Sequence, residues 1–253
     1  MKIALATPYG AHLEHPDVSM RMANMQSSLL QHQFVHTTIA MHIVSLARHK
    51  LVEMALEHDA DVVWFVDSDV LLPPNASILV DHIEAGVPVV SGLYVQRHPP
   101  FIPQAYFVAA TEVGIHNYMP MIDVPSEPTY VDAVGAGCLL VRTDVFRTLR
   151  EHHEERRTAL REARDRILSG KARLPIRLKG VTDAAVHDAL ALGPWFEFLA
   201  GVGEDFYFCE KLRGIGIRPM LEPNVSCGHI GQQAFDISHF RHAANQGFVM
   251  EGN

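Results

Sequence analysis

The sequence predicts an α/β domain built on a largely parallel sheet, and three observations carry that expectation. Short apolar runs rich in β-branched and aromatic residues, above all VVWFV at Val62–Val66, read as strands covered on both faces. Helix-compatible stretches stand between these runs, so strand and helix patterns alternate along the chain. A chain of 253 residues that is 48% hydrophobic suffices for one sizeable domain and leaves little room for a second, so residues 1–253 are expected to form a single unit.

Taken in order, KIALATP reads as a buried opening strand ended by proline, and the Tyr9-Gly10 pair after it marks a tight loop. From about Ser19 to Glu57 the residues are largely helix-compatible, with Ile43, Leu46, Ala47, Leu51, Met54 and Ala55 at helical spacing before HDAD breaks the pattern. The segment GVPVVSGLYV supplies another covered strand, and YVDAVGAGCLLVRTDVF holds two more apolar pieces around a Gly-Ala-Gly turn. RTLREHHEERRTALREARDRILSG is dense in charge, with Leu149, Leu160, Ile167 and Leu168 as its sizeable anchors, and predicts an exposed helix. Opposite charges four apart, Glu162 with Arg166 and Arg161 with Asp165, support it by roughly 0.2 to 0.5 kcal/mol per pair. GKARLPIRLKG is locally basic and VTDAAVHDALALG again looks helical. Residues 151–194 therefore read as a charged helical insertion between parts spanning 1–148 and 195–253.

Composition narrows the function classes. A net charge of -8 argues against a surface built to embrace a polyanion, apart from a local patch at Lys171 to Lys179. Three cysteines with no C-x-x-C pair fit a reducing compartment. The opening MKIALATPYG is too short in its apolar run for a signal peptide, and no window approaches about 18 uninterrupted apolar residues, so a soluble cytoplasmic protein is expected.

The chemistry concentrates where VVWFV runs into Asp67 and Asp69. Two residues apart at a strand end, the carboxylates are aimed to one side. At about 6 Å and an effective dielectric near 20 their repulsion is roughly 2.8 kcal/mol. A proton on one carboxyl or a divalent cation between them would offset it, and oxygen-rich sites of this kind suit Mg2+ or Mn2+, which in turn hold nucleotide phosphates. The alternative is a solvated turn, because D-x-D after a strand also serves Asx-turn and capping chemistry. Further along, a glycine turn presents Glu204 and Asp205 ahead of a helix over Phe206 to Arg213, followed by a strand and then His229 between two glycines.

With these pieces in this order, ATPYG, LARHKLVEMAL, WFVDSDVLLPP, VDAVGAGCLLVRTDVF, GEDFYF and GHIG, the chain resembles the GT-A fold glycosyltransferases over about residues 1 to 148 and 195 to 231. The resemblance implies a single-domain Rossmann-like GT-A fold and sugar transfer from a nucleotide diphosphate donor, a UDP- or GDP-sugar, with Mn2+ or Mg2+. It implies that Asp69 binds the metal directly, that Asp67 reaches the metal through water or touches the donor ribose, and that His229 is a further metal ligand. Thr7, Pro8 and Tyr9 would cradle the nucleotide, Arg48 would lie near the donor, and Gly135, Ala136 and Gly137 would line the sugar and acceptor side. In inverting members the base position matches Asp205, with Glu204 binding the acceptor or orienting the loop; in retaining ones leaving-group oxygens accept the proton. Glycans and small molecules are the favoured acceptors, with DNA or another anionic polymer the alternative at Lys171 to Lys179.

Two other classes compete. DSDVL after an apolar strand partly matches the first motif of haloacid dehalogenase-like phosphatases, in which Asp67 would be the nucleophile. A non-catalytic nucleotide-sugar-binding module is the third reading. Elsewhere His32 and His36, four apart, are surface or core histidines rather than a metal site. Cys138 and Cys227 read as packing residues. Trp195 and Phe196 are either an acceptor-facing wall or core anchors.

Overall fold

The computed structural model describes residues 1–9, 16–41, 43–109, 117–168, 193–198, 203–231 and 234–245. The chain opens with β1 (Lys2–Tyr9), α1 (Pro16–Ser28), β2 (Gln33–Ala40), α2 (Val44–Glu57), β3 (Val62–Val66), β4 (Val70–Leu71), α3 (Ile78–Glu84) and β5 (Val89–Leu93). There follow β6 (Ala105–Val108), β7 (Tyr118–Pro120), β8 (Thr129–Tyr130), β9 (Ala133–Val134), β10 (Cys138–Arg142) and α4 (Thr143–Leu168). The last part holds α5 (Glu204–Gly214), β11 (Met220–Ser226), β12 (Gly228–Ile230), β13 (Ala234–Phe235) and α6 (Ile237–Asn245).

A seven-stranded sheet in the order β2-β1-β3-β10-β5-β11-β8 forms the centre. β2, β1, β3, β5 and β11 run one way, while β10 and β8 pair antiparallel to their neighbours. The expected mixed α/β architecture with a mostly parallel sheet is therefore what the chain adopts. β3 is buried along its whole length and feeds both layers of the core. Val63 and Phe65 join Leu51, Phe146, Phe208 and Leu212 on the face covered by α2, α4 and α5. Val62, Trp64 and Val66 join Val18, Met22, Leu79 and Ile83 on the face covered by α1 and α3. Period-two alternation with apolar residues at every position is what a strand buried on both faces requires.

The sheet order also fixes where a ligand would bind. From β1 the chain moves outward through α1 to β2, then returns through α2 to β3 on the other side of β1. This reversal is a topological switch point, and the crevice it opens lies at the carboxyl ends of β1 and β3.

The structure departs from the sequence reading at several places. The Ser19 to Glu57 stretch is broken by β2, whose Phe34, Val35, Thr37, Thr38 and Ile39 form a β-favouring run inside a helix-compatible region. His36 consequently sits on a strand and meets Gln26, while His32 lies in the preceding turn against the N-terminal amine, so the two share no helix face. Thr7, Pro8 and Tyr9 are not loop residues but the end of β1, paired with Thr38, Ile39 and Ala40. The charged helix starts earlier than expected, at Thr143, because Val145, Phe146 and Leu149 anchor its first turns in the core. The rest of the expected insertion, the patch Lys171 to Lys179 included, lies outside the described residues, as do the side chains of Asp165 and Arg166. Among the described residues no helix is long and apolar enough to cross a membrane.

Candidate active site

Asp67 and Asp69 leave the carboxyl end of β3 at the switch point. Neither carboxylate is left to repel the other, because each has its own arginine. Nη2 of Arg48, on α2, lies 2.7 and 2.9 Å from the two oxygens of Asp67. Nη1 of Arg97, just beyond β5, lies 2.7 Å from Oδ2 of Asp69. Beside the proton or divalent cation expected as the offset, guanidinium groups are a third solution, carried by other elements of the fold.

Arg48 is also the link to the Glu-Asp pair. Its Nη1 donates to Oε1 of Glu204, the first residue of α5, so one buried guanidinium joins two carboxylates 137 residues apart in sequence (204 − 67). Burial alone would lower the Arg48 pKa, but the charges of Asp67, Glu204 and Asp205 outweigh it and raise it. Arg48 stays charged at any working pH.

Asp205 follows in the first turn of α5, where its Oδ1 accepts from the backbone N–H of Phe206 at 2.8 Å. Burial, and then the neighbouring charge of Glu204, push its carboxyl up to about 6 against the opposing pull of Arg48. A carboxylate poised near neutrality is what a general base requires.

His229 arrives through the small sheet of β4, β12 and β13. β12 pairs antiparallel with β4, setting His229 opposite Val70, and the Ile230 N–H donates to the Asp69 carbonyl at 2.8 Å. The Nδ1 of His229 lies 2.7 Å from the Val95 carbonyl, so Nδ1 donates there and Nε2 is turned toward Asp69. That Nε2 stands 3.6 Å from Oδ1 of Asp69. Burial would raise the Asp69 pKa, but His229 and Arg97 together lower it. The backbone carbonyl orients the ring as an outer partner orients a metal-binding histidine. Asp69 and His229 therefore form an oxygen-and-imidazole donor pair that fits Mn2+ or Mg2+, the rest of whose shell water and phosphate oxygens can supply. Among the described residues no three metal-ligating side chains cluster, so a protein-only cage is not what this site offers.

Tyr94 forms the floor. Its Oη accepts from the Gly137 N–H at 3.0 Å, and its ring meets His229 edge-on with centroids 5.4 Å apart. Burial, with the charges of Asp67 and Asp205, raises its pKa well above the ordinary phenol value. A Cβ placed on Gly135 would overlap Tyr94 Oη, and one on Gly137 would come within 2.9 Å of Tyr94 Cζ. These glycines thus make room for the tyrosine under the loop, and Ala136 between them is buried.

No protein-family model matches the sequence, and the curated proteins contain no significant match. The fold is similar to that of A197 from STIV, with a TM-score of 0.53 at 15% identity, covering 94% of this chain and 92% of that one. A looser likeness links it to the structure of GalNAc-T7 with UDP, GalNAc and Mn2+, with a TM-score of 0.47 at 10% identity over 96% of this chain and 47% of that one. The first is a likeness of fold alone, and the second carries no further weight.

Of the residues singled out in the sequence, the structure gathers Arg48, Asp67, Glu204 and Asp205 into one network and Asp69 with His229 into another. Thr7, Pro8 and Tyr9 end the strand beside β3 at the same edge of the sheet. Trp195 and Phe196 are core anchors: Trp195 Nε1 donates to the Phe146 carbonyl at 2.9 Å and Phe196 stacks on Phe208 with centroids 4.5 Å apart. Cys138 and Cys227 are buried and free, as their surroundings in the sequence suggested. Tyr94, the Val95 carbonyl and Arg97 went unnoticed in the sequence. Their signal was GLYVQR, the end of a covered strand that runs the same way as β3.

Proposed function

We propose that this chain is a metal-dependent glycosyltransferase that moves a sugar from a nucleotide diphosphate donor, a UDP- or GDP-sugar, to an acceptor hydroxyl. The observation that carries the reading is the joining, through Arg48, of a strand-end aspartate at the switch point to the Glu204-Asp205 pair, beside an Asp69–His229 donor pair. Asp69 and His229 hold Mn2+ or Mg2+. Asp67, both of whose oxygens face Arg48, acts through water or the donor ribose. Thr7, Pro8 and Tyr9 border the nucleotide, and Gly135, Ala136 and Gly137 the sugar and acceptor. Bound at this place, the cation supplies positive charge to the departing diphosphate.

In the transfer step the acceptor O–H gives its proton to Asp205, its oxygen forms the new bond to the sugar carbon, and the bond from that carbon to the diphosphate oxygen breaks. A carboxyl near 6 is mostly ionised at pH 7 yet more basic than an ordinary aspartate, which favours that proton transfer. Glu204, tied to Arg48, fixes the start of α5 and with it the position of the base. A phosphatase reading with Asp67 as nucleophile has less support, because a carboxylate shared with a buried guanidinium is a poor nucleophile.

A thermal-shift panel of UDP, GDP, CDP, ADP and dTDP, each with Mn2+ or with chelator, tests the reading. At about 100 times its dissociation constant the matching nucleotide adds roughly 2.7 kcal/mol, and chelator removes the gain. A flat panel together with turnover of simple phosphoesters would overturn the proposal.

A further inference from the structure

The two arginines of the site differ in a way that bears on how it fills. Arg48 is buried and divided between Asp67 and Glu204. Leaving would strand two carboxylates, one of them buried. Arg97 is a different case. Its side chain is 54% exposed, its bond is to Asp69 Oδ2, and it reaches that oxygen from a loop rather than from the core. A long, half-solvated side chain on a single carboxylate can swing into water at little cost. The displaceable arginine thus lies on the very carboxylate that also faces Nε2 of His229.

We infer that Arg97 is a placeholder for the divalent cation: it neutralises Asp69 while the site is empty, and its pairing with Asp69 and the binding of the cation exclude one another. The inference rests on the reading of Asp69 and His229 as cation donors given above. A divalent ion on Asp69 would set a double positive charge against the guanidinium at contact distance, and like charges at that range repel strongly. His229 Nε2 stands 3.6 Å from Asp69 Oδ1, so an ion held there can take a second ligand from the ring, whereas the pairing of Arg97 is to Asp69 Oδ2. Arg97 therefore holds Asp69 in position without closing the site, and it gives way to a ligand of higher charge.

The test is Mn2+ titration of the full chain, followed calorimetrically and by the loss of the free-ion electron spin resonance signal, at one pH and ionic strength and without nucleotide. Arg97→Gln is expected to bind Mn2+ roughly two- to five-fold more tightly than the unaltered protein, the range set by an exposed ion pair. Arg97→Lys, which keeps the charge, is expected to return affinity toward the original value. Asp69→Asn is expected to lose binding. A merely structural Arg97 would yield equal or weaker binding in Arg97→Gln while Asp69→Asn still lost it, and that result overturns the placeholder alone. Undiminished binding in Asp69→Asn, or none in any of the proteins across the millimolar range, overturns the cation reading and the placeholder with it. Because Arg97 is on the surface and its ion pair is exposed, the Gln and Lys variants should melt within about 4 °C of the parent.

Discussion

Arg48 and Asp67 meet through both oxygens of the carboxylate, with Nη2 2.7 Å from Oδ1 and 2.9 Å from Oδ2. The contact runs from the second helix to the end of the third strand, and the other arm of the same guanidinium reaches Glu204 on α5. A strand-end aspartate is thereby coupled to a Glu-Asp pair far along the chain, so two sides of the crevice are positioned by one buried guanidinium.

Removing that cation leaves buried negative charge without a partner. Arg48→Met is expected to destabilise the fold by about 3 to 5 kcal/mol, read as a lowered urea midpoint. Arg48→Lys should recover only part of this, because an ammonium cannot reach both carboxylates in fixed fork geometry. Adding Glu204→Gln to Arg48→Met is expected to restore some stability, since it removes one of the stranded charges. Additive losses in the double variant would mean that the guanidinium and Glu204 are not coupled.

At Gly135 the expectation concerns space. An added Cβ would overlap the Tyr94 hydroxyl, which is itself held by the Gly137 N–H. Gly135→Ala is expected to cost about 1 to 3 kcal/mol, the usual range for overpacking. Tyr94→Phe in the same chain should relieve part of it, and the double-mutant cycle should return a coupling of roughly 0.5 kcal/mol or more. Without such coupling, the Tyr94 hydroxyl would not be what limits the side chain at this position.

How much of this was legible in the sequence depends on the range of the interaction. β3 and the carboxylates after it could be read directly, since a fully apolar five-residue run and the D-x-D that ends it are local features. β2 was obscured, because its β-favouring run lies between two helix-compatible stretches and only the pairing with β1 along its full length decides for a strand. The ion pairs were hidden for the same reason. Arg97 reaches Asp69 from the loop after β5 and Arg48 reaches from α2 to Glu204 on α5, and no spacing along the chain encodes such contacts. A rule that polar residues following each covered strand of one direction share a site would have brought out Tyr94 and Arg97.

Trp195 and Phe196 discriminate between a ligand-facing wall and a core anchor. Phe196 is fully buried, stacked on Phe208 and edge-on to Phe65 at 5.3 Å. Phe196→Ala is expected to destabilise by about 3 to 5 kcal/mol through lost burial and the cavity left behind. The measurement is again the urea midpoint. A midpoint unchanged by the substitution would return the ring to the acceptor side.

Asp205 links stability to function with opposite signs. Its carboxyl is held up to about 6 in the folded chain by burial and by Glu204, against an ordinary value of 3.8. An acid whose folded pKa is raised contributes most below its unfolded pKa, where both states are protonated, and that contribution is lost as pH rises through the folded value. Between about pH 4 and 6 the folded state therefore binds more protons than the unfolded one, and this group makes stability fall with rising pH. Asp205→Asn removes the ionisation, so the variant is expected to be more stable than the parent at pH 7 by on the order of 2 kcal/mol. That gain should fade to nothing near pH 4. Transfer activity should drop by roughly 10² to 10⁴, the span of a lost general base. Urea unfolding of both proteins from pH 4 to 8 reads the first effect and turnover of the donor identified in the thermal-shift panel reads the second. A stability difference constant with pH would mean that the carboxyl titrates as an ordinary aspartate, and the case for Asp205 as a tuned base would fall with it.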